Sequence, residues 1–233
     1  MAFIQSDDTV DIADLVGPLM LDCPVPIASQ GILWAAIEFC RRTLIYANKT
    51  KITVTNQNDI ALFSTDDAIL SDIDSVYWTP GSTPTKPIPL DPWTREEAAE
   101  WLVREPIGIP KGYFRPSPNT LRLVPPPAAA GSLEINLILT PTRNATTLPS
   151  FLYDNCWEAI EHGANYKLMS LRNRPWSDPS MAEFHRGQFE TLIGSFGAIA
   201  VKDGTRKKLR SSTDFTVGRS NWNAARRMNY WRG

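Results

Sequence analysis

The chain has 233 residues, of which 42% are hydrophobic and 21% are charged, and its formal net charge is −1. This composition supports a packed core, and it contains no run of about 18 apolar residues that would span a membrane. Three cysteines, Cys23, Cys40 and Cys156, are far apart and odd in number. They fit reduced, buried side chains better than a disulfide framework or a zinc site.

The small net charge conceals a strong asymmetry along the chain. Residues 203–233 contain eight Lys or Arg against two Asp, a net charge of +6, so the preceding residues carry −7. An acidic body with a basic tail indicates a tail that docks on an acidic surface. That surface belongs either to another copy of the body or to a different partner.

The first element that the sequence predicts with clear periodicity is a helix over residues 30–47. Residues 1–28 are predicted to be irregular, with a short helix over 12–20 and interruptions at Pro24 and Pro26. Ser29 is the predicted cap of the longer helix. Its apolar stripe is Leu33, Ala36, Ile37, Cys40 and Leu44. We assign this helix to an antiparallel bundle.

After this helix the apolar period changes from that of a helix to that of a strand. A capping box at Thr94 and Glu97 predicts one short helix that ends near Arg104. The proline run at 125–127 and Gly131 supply the turn between the last two strands. The predicted strands cover residues 51–55, 59–63, 69–78, 111–115, 120–124 and 132–139.

Two further helices are predicted between residues 148 and 201, folded back on each other at a proline-bounded turn. Pro175 is predicted to end the first helix, and Asp178 to cap the second. Gly163 lies within the first helix, where glycine costs roughly 1 kcal/mol relative to alanine, so we expect a close contact there. The two apolar stripes are Leu152, Cys156, Ile160, Ala164 and Leu168, then Ala182, Phe189, Leu192, Ile193, Phe196 and Ala200.

The predicted fold class is therefore α+β. It consists of an antiparallel helical bundle, an inserted β-rich domain of barrel or sandwich type, and an extended C-terminal tail. We divide the chain into an N-terminal segment with the first bundle helix (1–49), the β-rich insertion (50–142), the helical hairpin (143–202) and the basic tail (203–233).

The sequence contains no recognisable catalytic, metal or cofactor constellation. His162 and His185 lie on predicted helices without a metal-ligating residue three or four positions later, which favours a structural role for each. Neighbouring carboxylates such as Glu96 and Glu97 fit helix starts and surfaces. There is no GxSxG, Walker or GxGxxG motif. We predict no enzymatic activity, no metal and no cofactor.

Two regions remain as candidate contact sites. Trp176 at the hairpin turn either plugs the end of the bundle or anchors a neighbouring subunit, and Gly163 is a second interface candidate. The tail either touches nucleic acid nonspecifically or becomes ordered on a protein partner, and its aromatic residues favour the second reading. The candidate tail residues are Arg206, Lys207, Lys208, Arg210, Phe215, Arg219, Trp222, Arg226, Arg227, Tyr230 and Trp231.

A series of short motifs occurs in a fixed order between about residues 30 and 200. The motifs are AIEFCRR at 36–42, LRLVPPP at 121–127, Leu148-Pro149, EAIEHGANYKLM at 158–169, PWSDP at 175–179, and Ala182 with Arg186 and Phe189. In order and spacing they resemble head-to-tail adaptor, or connector, proteins of tailed bacteriophages, of the tail tubular protein A-like family.

The resemblance implies a structural virion protein in the neck between capsid and tail, made in the host cytoplasm and without a membrane partner. It implies a ring of twelve subunits that joins the portal to the next neck or tail protein and lines the channel for genomic DNA. The tail would bind the portal. The alternative function is a nucleic-acid-binding module that acts through the basic tail.

Overall fold

The structure is a computed structural model that describes residues 8–17, 19, 23–55, 59–63, 65–81 and 86–202. Within these residues the chain is mixed α+β, in agreement with the predicted fold class. The predicted tail at 203–233 lies outside the described residues. The helices and strands are β1 (Thr9–Asp11), α1 (Val25–Thr43), β2 (Ala47–Val54), β3 (Ile60–Ala61), β4 (Ala68–Pro80), β5 (Ile88–Pro92), α2 (Arg95–Arg104), β6 (Gly112–Ser117), β7 (Thr120–Val124), β8 (Gly131–Pro141), β9 (Thr147–Pro149), α3 (Ser150–Met169) and α4 (Pro179–Lys202).

Helix α1 begins earlier than its sequence pattern predicts. Pro24 is its N-cap residue, and Pro26 lies in its first turn, so the prolines start the helix instead of interrupting the chain. A missing N–H is tolerated there because first-turn amides have no partner within the helix. Ser29 lies inside α1 and is not its cap. The helix ends at Thr43, before Leu44 in the left-handed region with φ 53°.

Helix α2 begins with the predicted capping box. The Glu97 N–H donates to Thr94 Oγ1 at 3.2 Å, and the Thr94 N–H donates to Glu97 Oε2 at 2.8 Å. These bonds satisfy two amides that the first turn leaves without a backbone acceptor. The bond from the Thr94 N–H also lowers the pKa of the Glu97 carboxyl, because it stabilises the charged form.

Seven strands form one sheet in the order β2-β8-β4-β5-β6-β7-β3. Strand β8 runs antiparallel to both β2 and β4, and its side chains Leu133, Ile135 and Leu137 are completely buried. Strands β5 and β6 are parallel, with α2 as the crossover between them. The proline run after β7 does not form a hairpin, since β7 and β8 are not neighbours in the sheet.

The N-terminal segment is more regular than predicted. Strand β1 pairs antiparallel with β9, and the expected short helix over 12–20 is reduced to a 3-10 turn at Asp14–Val16. The carboxylate of Asp67 accepts from the Thr146 N–H at 3.0 Å and from Thr147 Oγ1 at 2.8 Å. These bonds fix the chain before β4 to the strand that leads into α3.

The three long helices pack on one another: α3 contacts α1 and α4, and α1 also contacts α4. The ring of Phe39 on α1 meets that of Phe196 on α4 edge to face, with centroids 5.4 Å apart. Buried side chains of these helices and of the sheet form one continuous core. The division into a helical unit and an inserted β domain therefore stays a prediction.

The turn between α3 and α4 starts before the proline that was expected to cause it. Helix α3 ends at Met169, not at Pro175, and Asn173 has a positive φ of 58°. The Asp178 N–H donates to the Met169 carbonyl at 3.1 Å and closes the turn. Asp178 Oδ1 accepts from the N–H groups of Ser180 and Met181, both at 3.0 Å, so its predicted capping role is confirmed.

Candidate assembly surface

The predicted tail residues continue the chain directly after α4. All of them lie outside the described residues. They are Arg206, Lys207, Lys208, Arg210, Phe215, Arg219, Trp222, Arg226, Arg227, Tyr230 and Trp231. The last described element, α4, extends to Lys202, directly before this basic stretch of the sequence.

Gly163 lies where the three long helices come closest. A Cβ built there would stand 2.9 Å from Ala35 Cβ on α1 and 2.9 Å from Phe189 Cε2 on α4. Real Cβ atoms do not approach other atoms so closely, so only glycine fits at this position without a shift of the neighbouring helices. The close contact expected on this face lies within one chain, and a role of Gly163 at a subunit interface stays a prediction.

Trp176 lies in the α3–α4 turn and packs against the main core while remaining half-buried. This packing agrees with the interpretation of Trp176 as the plug of the hairpin end. Its indole N–H is buried and finds no hydrogen-bond acceptor among the described residues. Its second interpretation, as an anchor for a neighbouring subunit, stays a prediction.

The two histidines, each expected to stand alone, meet across the hairpin. His162 Nδ1 on α3 lies 2.7 Å from His185 Nδ1 on α4. Burial and the neighbouring His162 both lower the pKa of His185. Sequence reasoning missed this pair because it searched for partners within one helix. The sequence pattern held no signal for the pair, because the predicted turn at 175–179 lies 13 residues after His162 and 6 before His185, whereas α3 in fact ends at Met169, only 7 residues after His162.

The outer face of α4 has little to contact among the described residues. A Cβ added at Gly187, Gly194 or Gly197 would meet no atom of that part of the chain within 4 Å. Met181, Phe184 and Ile199 are exposed on the same helix. Met181 and Phe184 lie one helical turn apart, and neighbouring large apolar side chains on an exposed surface are typical of contact sites between proteins. A second set of exposed apolar residues lies at the end of α2 and just after it: Val103, Ile107 and Ile109.

An ion pair holds α4 against α1. Arg42 donates to both carboxylate oxygens of Glu190, at 2.7 and 2.5 Å. These hydrogen bonds lower the pKa of the Glu190 carboxyl. Both side chains are substantially exposed, so the pair adds orientation more than stability.

The described residues contain no cluster of three or more His, Cys, Asp or Glu that could hold a metal ion. Burial raises the pKa of the Cys40 thiol and raises that of the Cys156 thiol to about 12. Thiols with raised pKa values are poor nucleophiles. A surface groove on α2 is lined by Trp93, Glu97 and Glu100. Both carboxylates have structural partners, because Glu97 belongs to the capping box and Glu100 pairs with Arg104.

No helix in the described parts of the chain combines the length and the apolar character that crossing a membrane requires. The described residues offer two exposed apolar surfaces for contacts, one on α4 and one at the end of α2, and the basic sequence follows α4.

The chain matches the SU10 adaptor protein family over residues 10–216. The match contains the sheet, all four helices and the first part of the tail, including Arg206, Arg210 and Phe215. No curated protein matches the chain. Since the family match covers far more than half of the sequence, the chain belongs to the SU10 adaptor protein family and is a phage adaptor-type protein.

Proposed function

We propose that this protein is a structural component of the virion neck, a head-to-tail adaptor without enzymatic activity. Twelve copies form a ring that joins the portal to the next neck or tail protein. Membership of an adaptor family supports this proposal, as does the motif resemblance to tail tubular protein A-like adaptors. In this role the three long helices form the bundle that carries the ring.

The observation that carries the proposal is the contrast in charge between residues 1–202 and the residues that follow α4. Residues 203–233 add eight basic side chains among late aromatic residues, after a stretch with a net charge of −7. A cationic segment with aromatic anchors suits an acidic protein surface with pockets. We assign this segment to binding the portal.

The remaining contacts of the ring follow from the surfaces of the body. The exposed side chains of Phe184, Met181 and Ile199 on α4 supply apolar area for a neighbouring subunit, and Trp176 lies at the end of the same hairpin. A body with a net charge of −7 suits a channel wall, because genomic DNA then passes without adhering.

Removal of residues 203–233 is expected to abolish attachment to the portal while leaving the body folded. Attachment is measured by co-sedimentation of purified portal with the full chain or with the chain that ends at Lys202. Circular dichroism of both chains checks the fold. A truncated chain that binds portal as tightly as the full chain would contradict the proposal.

A matched pair of charge variants sharpens this test. The variant R206Q/K207Q/K208Q removes three tail charges and is expected to weaken portal binding at least tenfold. The control K49Q/K51Q removes two exposed charges from β2, which pair there with Glu134, and is expected to leave binding unchanged. Equal weakening by both variants would show that total charge, not the tail, determines attachment.

The tail charge of +6 also favours a second candidate, a module that binds nucleic acid through the tail. That function predicts DNA affinity that falls with salt at a log–log slope of about −0.9 per phosphate contacted. Steeply salt-dependent DNA binding by a chain that ignores portal would establish the alternative. Absence of DNA binding at low salt would exclude it.

A further inference from the structure

The histidine pair constrains the protonation of both rings. A neutral imidazole carries one N–H and one lone pair, so a hydrogen bond between two Nδ1 atoms needs one donor and one acceptor. With the Nδ1 atoms of His162 and His185 2.7 Å apart, at least one Nδ1 must be unprotonated. The chain contains no other histidine, so no other imidazole titrates in the same pH range.

Among the described residues, no carboxylate is hydrogen-bonded to the pair to balance a second proton. The ring of Phe184 lies edge-on to both imidazoles, with centroids 6.2 Å from His162 and 5.4 Å from His185. The ionisable groups within five residues of either histidine are Glu158, Glu161, Tyr166 and Lys167 on α3 and Glu183, Arg186 and Glu190 on α4. Arg42, the partner of Glu190, and Glu38 beside it lie on α1.

The acidic groups among these neighbours have other partners or make no bond to the imidazoles. Glu183 pairs with Arg186 at 3.4 Å, and Glu190 is held by Arg42. Among the described residues, no carboxylate hydrogen-bonds to either imidazole ring. A second proton on the pair would therefore meet a like charge and an aromatic ring, with no carboxylate bonded to balance it.

We propose that His162 and His185 form a proton-operated clasp between α3 and α4, closed while one Nδ1 is unprotonated and opened when both rings are protonated. Double protonation places two N–H donors and two like charges against each other at 2.7 Å in a half-buried site. The two rings must then separate. This inference rests on the fold alone and is independent of the adaptor function.

The direction of the pH effect follows from the lowered pKa of His185. A base whose pKa is lower in the folded chain than in the unfolded chain binds fewer protons when folded. The stabilisation by the clasp is therefore complete above the ordinary histidine pKa near 6.5. It is lost progressively as the pH falls from that value to the lowered one.

The opening should be confined to the part of α4 before Glu190. From Glu190 onward the helix is held by the Arg42–Glu190 pair and by Phe196 against Phe39. Glu190 stays charged at pH 5 because Arg42 lowers the pKa of its carboxyl. Neither contact titrates in the range that charges the clasp.

The test uses the full chain with two measurements. Imidazole NMR is expected to show two coupled titration steps separated by at least about one pH unit, that is, tenfold in proton affinity. Amide hydrogen exchange, corrected for its intrinsic pH dependence, is expected to be about tenfold faster at pH 5 than at pH 7.5 over residues 182–189. Residues 192–198 are expected to change little.

Two variants distinguish the clasp from general acid destabilisation. In H185Q, a glutamine amide can still hydrogen-bond to His162 but takes no charge, so the excess exchange at pH 5 should disappear. The control E183Q removes a neighbouring charge but keeps both histidines, and it should retain the acid response. Loss of the response in E183Q, or its persistence in H185Q, would overturn the proposal.

The wild-type titration stands even if H185Q does not fold. Two independent imidazole titrations, both near the ordinary pKa, would refute the clasp without any variant. So would exchange over residues 182–189 that does not differ between pH 5 and pH 7.5.

Discussion

Gly163→Val is expected to lower the free energy of unfolding by about 3 kcal/mol, at the upper end of the range for overpacked cores. The first added carbon would already lie 2.9 Å from both Ala35 Cβ and Phe189 Cε2, on two different helices. Relief on one side moves the residue toward the other, so α1, α3 and α4 would have to separate. Urea unfolding followed by circular dichroism measures the loss.

The same substitution at Gly187 is the matched control. A Cβ there meets no atom of the described residues within 4 Å, and the residue is exposed on α4. Gly187→Val should therefore change the free energy of unfolding by no more than about 0.5 kcal/mol. If Gly163→Val is as stable as the wild type, or if the two variants lose equal stability, the claim that the three helices pack closely at Gly163 is contradicted.

Phe39→Ala is expected to cost about 3–5 kcal/mol, because it leaves a cavity at a fully buried aromatic position. Phe39 packs edge to face against Phe196, so the substitution also removes a direct contact between α1 and α4. Thermal unfolding should show a midpoint at least about 6 °C lower, at roughly 2–4 °C per kcal/mol for a chain of this size.

Phe184→Ala serves as the control for aromatic truncation. Phe184 is 53% exposed on the outer face of α4, so its removal at pH 7.5 should cost less than about 1 kcal/mol. Similar losses for the two variants would mean that α4 is not packed on α1 through Phe39. A small loss for Phe39→Ala alone would mean that the surrounding core refills the site.

Local chemistry explains which elements could be predicted from the sequence. The capping box at Thr94 and the cap at Asp178 act within three residues of the helix starts they define, and both are confirmed. The predicted start of α1 is wrong because Pro24 and Pro26 indicate a break in the sequence pattern, although proline also fits a first helical turn. Proline thus fits both a break in the chain and the start of a helix, and the packing of the residues that follow determines which of the two forms.

Non-local pairing explains most of what was missed. Strands β1 and β9 have three residues each and exist because they pair with each other across the chain. Strand β5 contains two prolines and is held by β4 and by a short parallel contact with β6. None of these strands has enough alternating residues to produce a pattern of its own.

The residues of the candidate assembly surface were likewise only partly predictable from the sequence. Gly163 was expected to make a close contact from its helix-interior position, but only the structure identifies Ala35 and Phe189 as its neighbours. The imidazole contact between α3 and α4 depends on the register of the two helices, which the turn residues alone do not determine. The tail residues lie outside the described part of the chain, so their assignment to portal binding stays a prediction.

The mass and rotational symmetry of the chain assembled with purified portal test the central claim most directly. Native mass spectrometry together with electron microscopy of the complex gives both quantities. The adaptor account predicts a closed ring of twelve chains of 26.1 kDa each, seated on the portal. A chain that remains a monomer and does not associate with portal would contradict it.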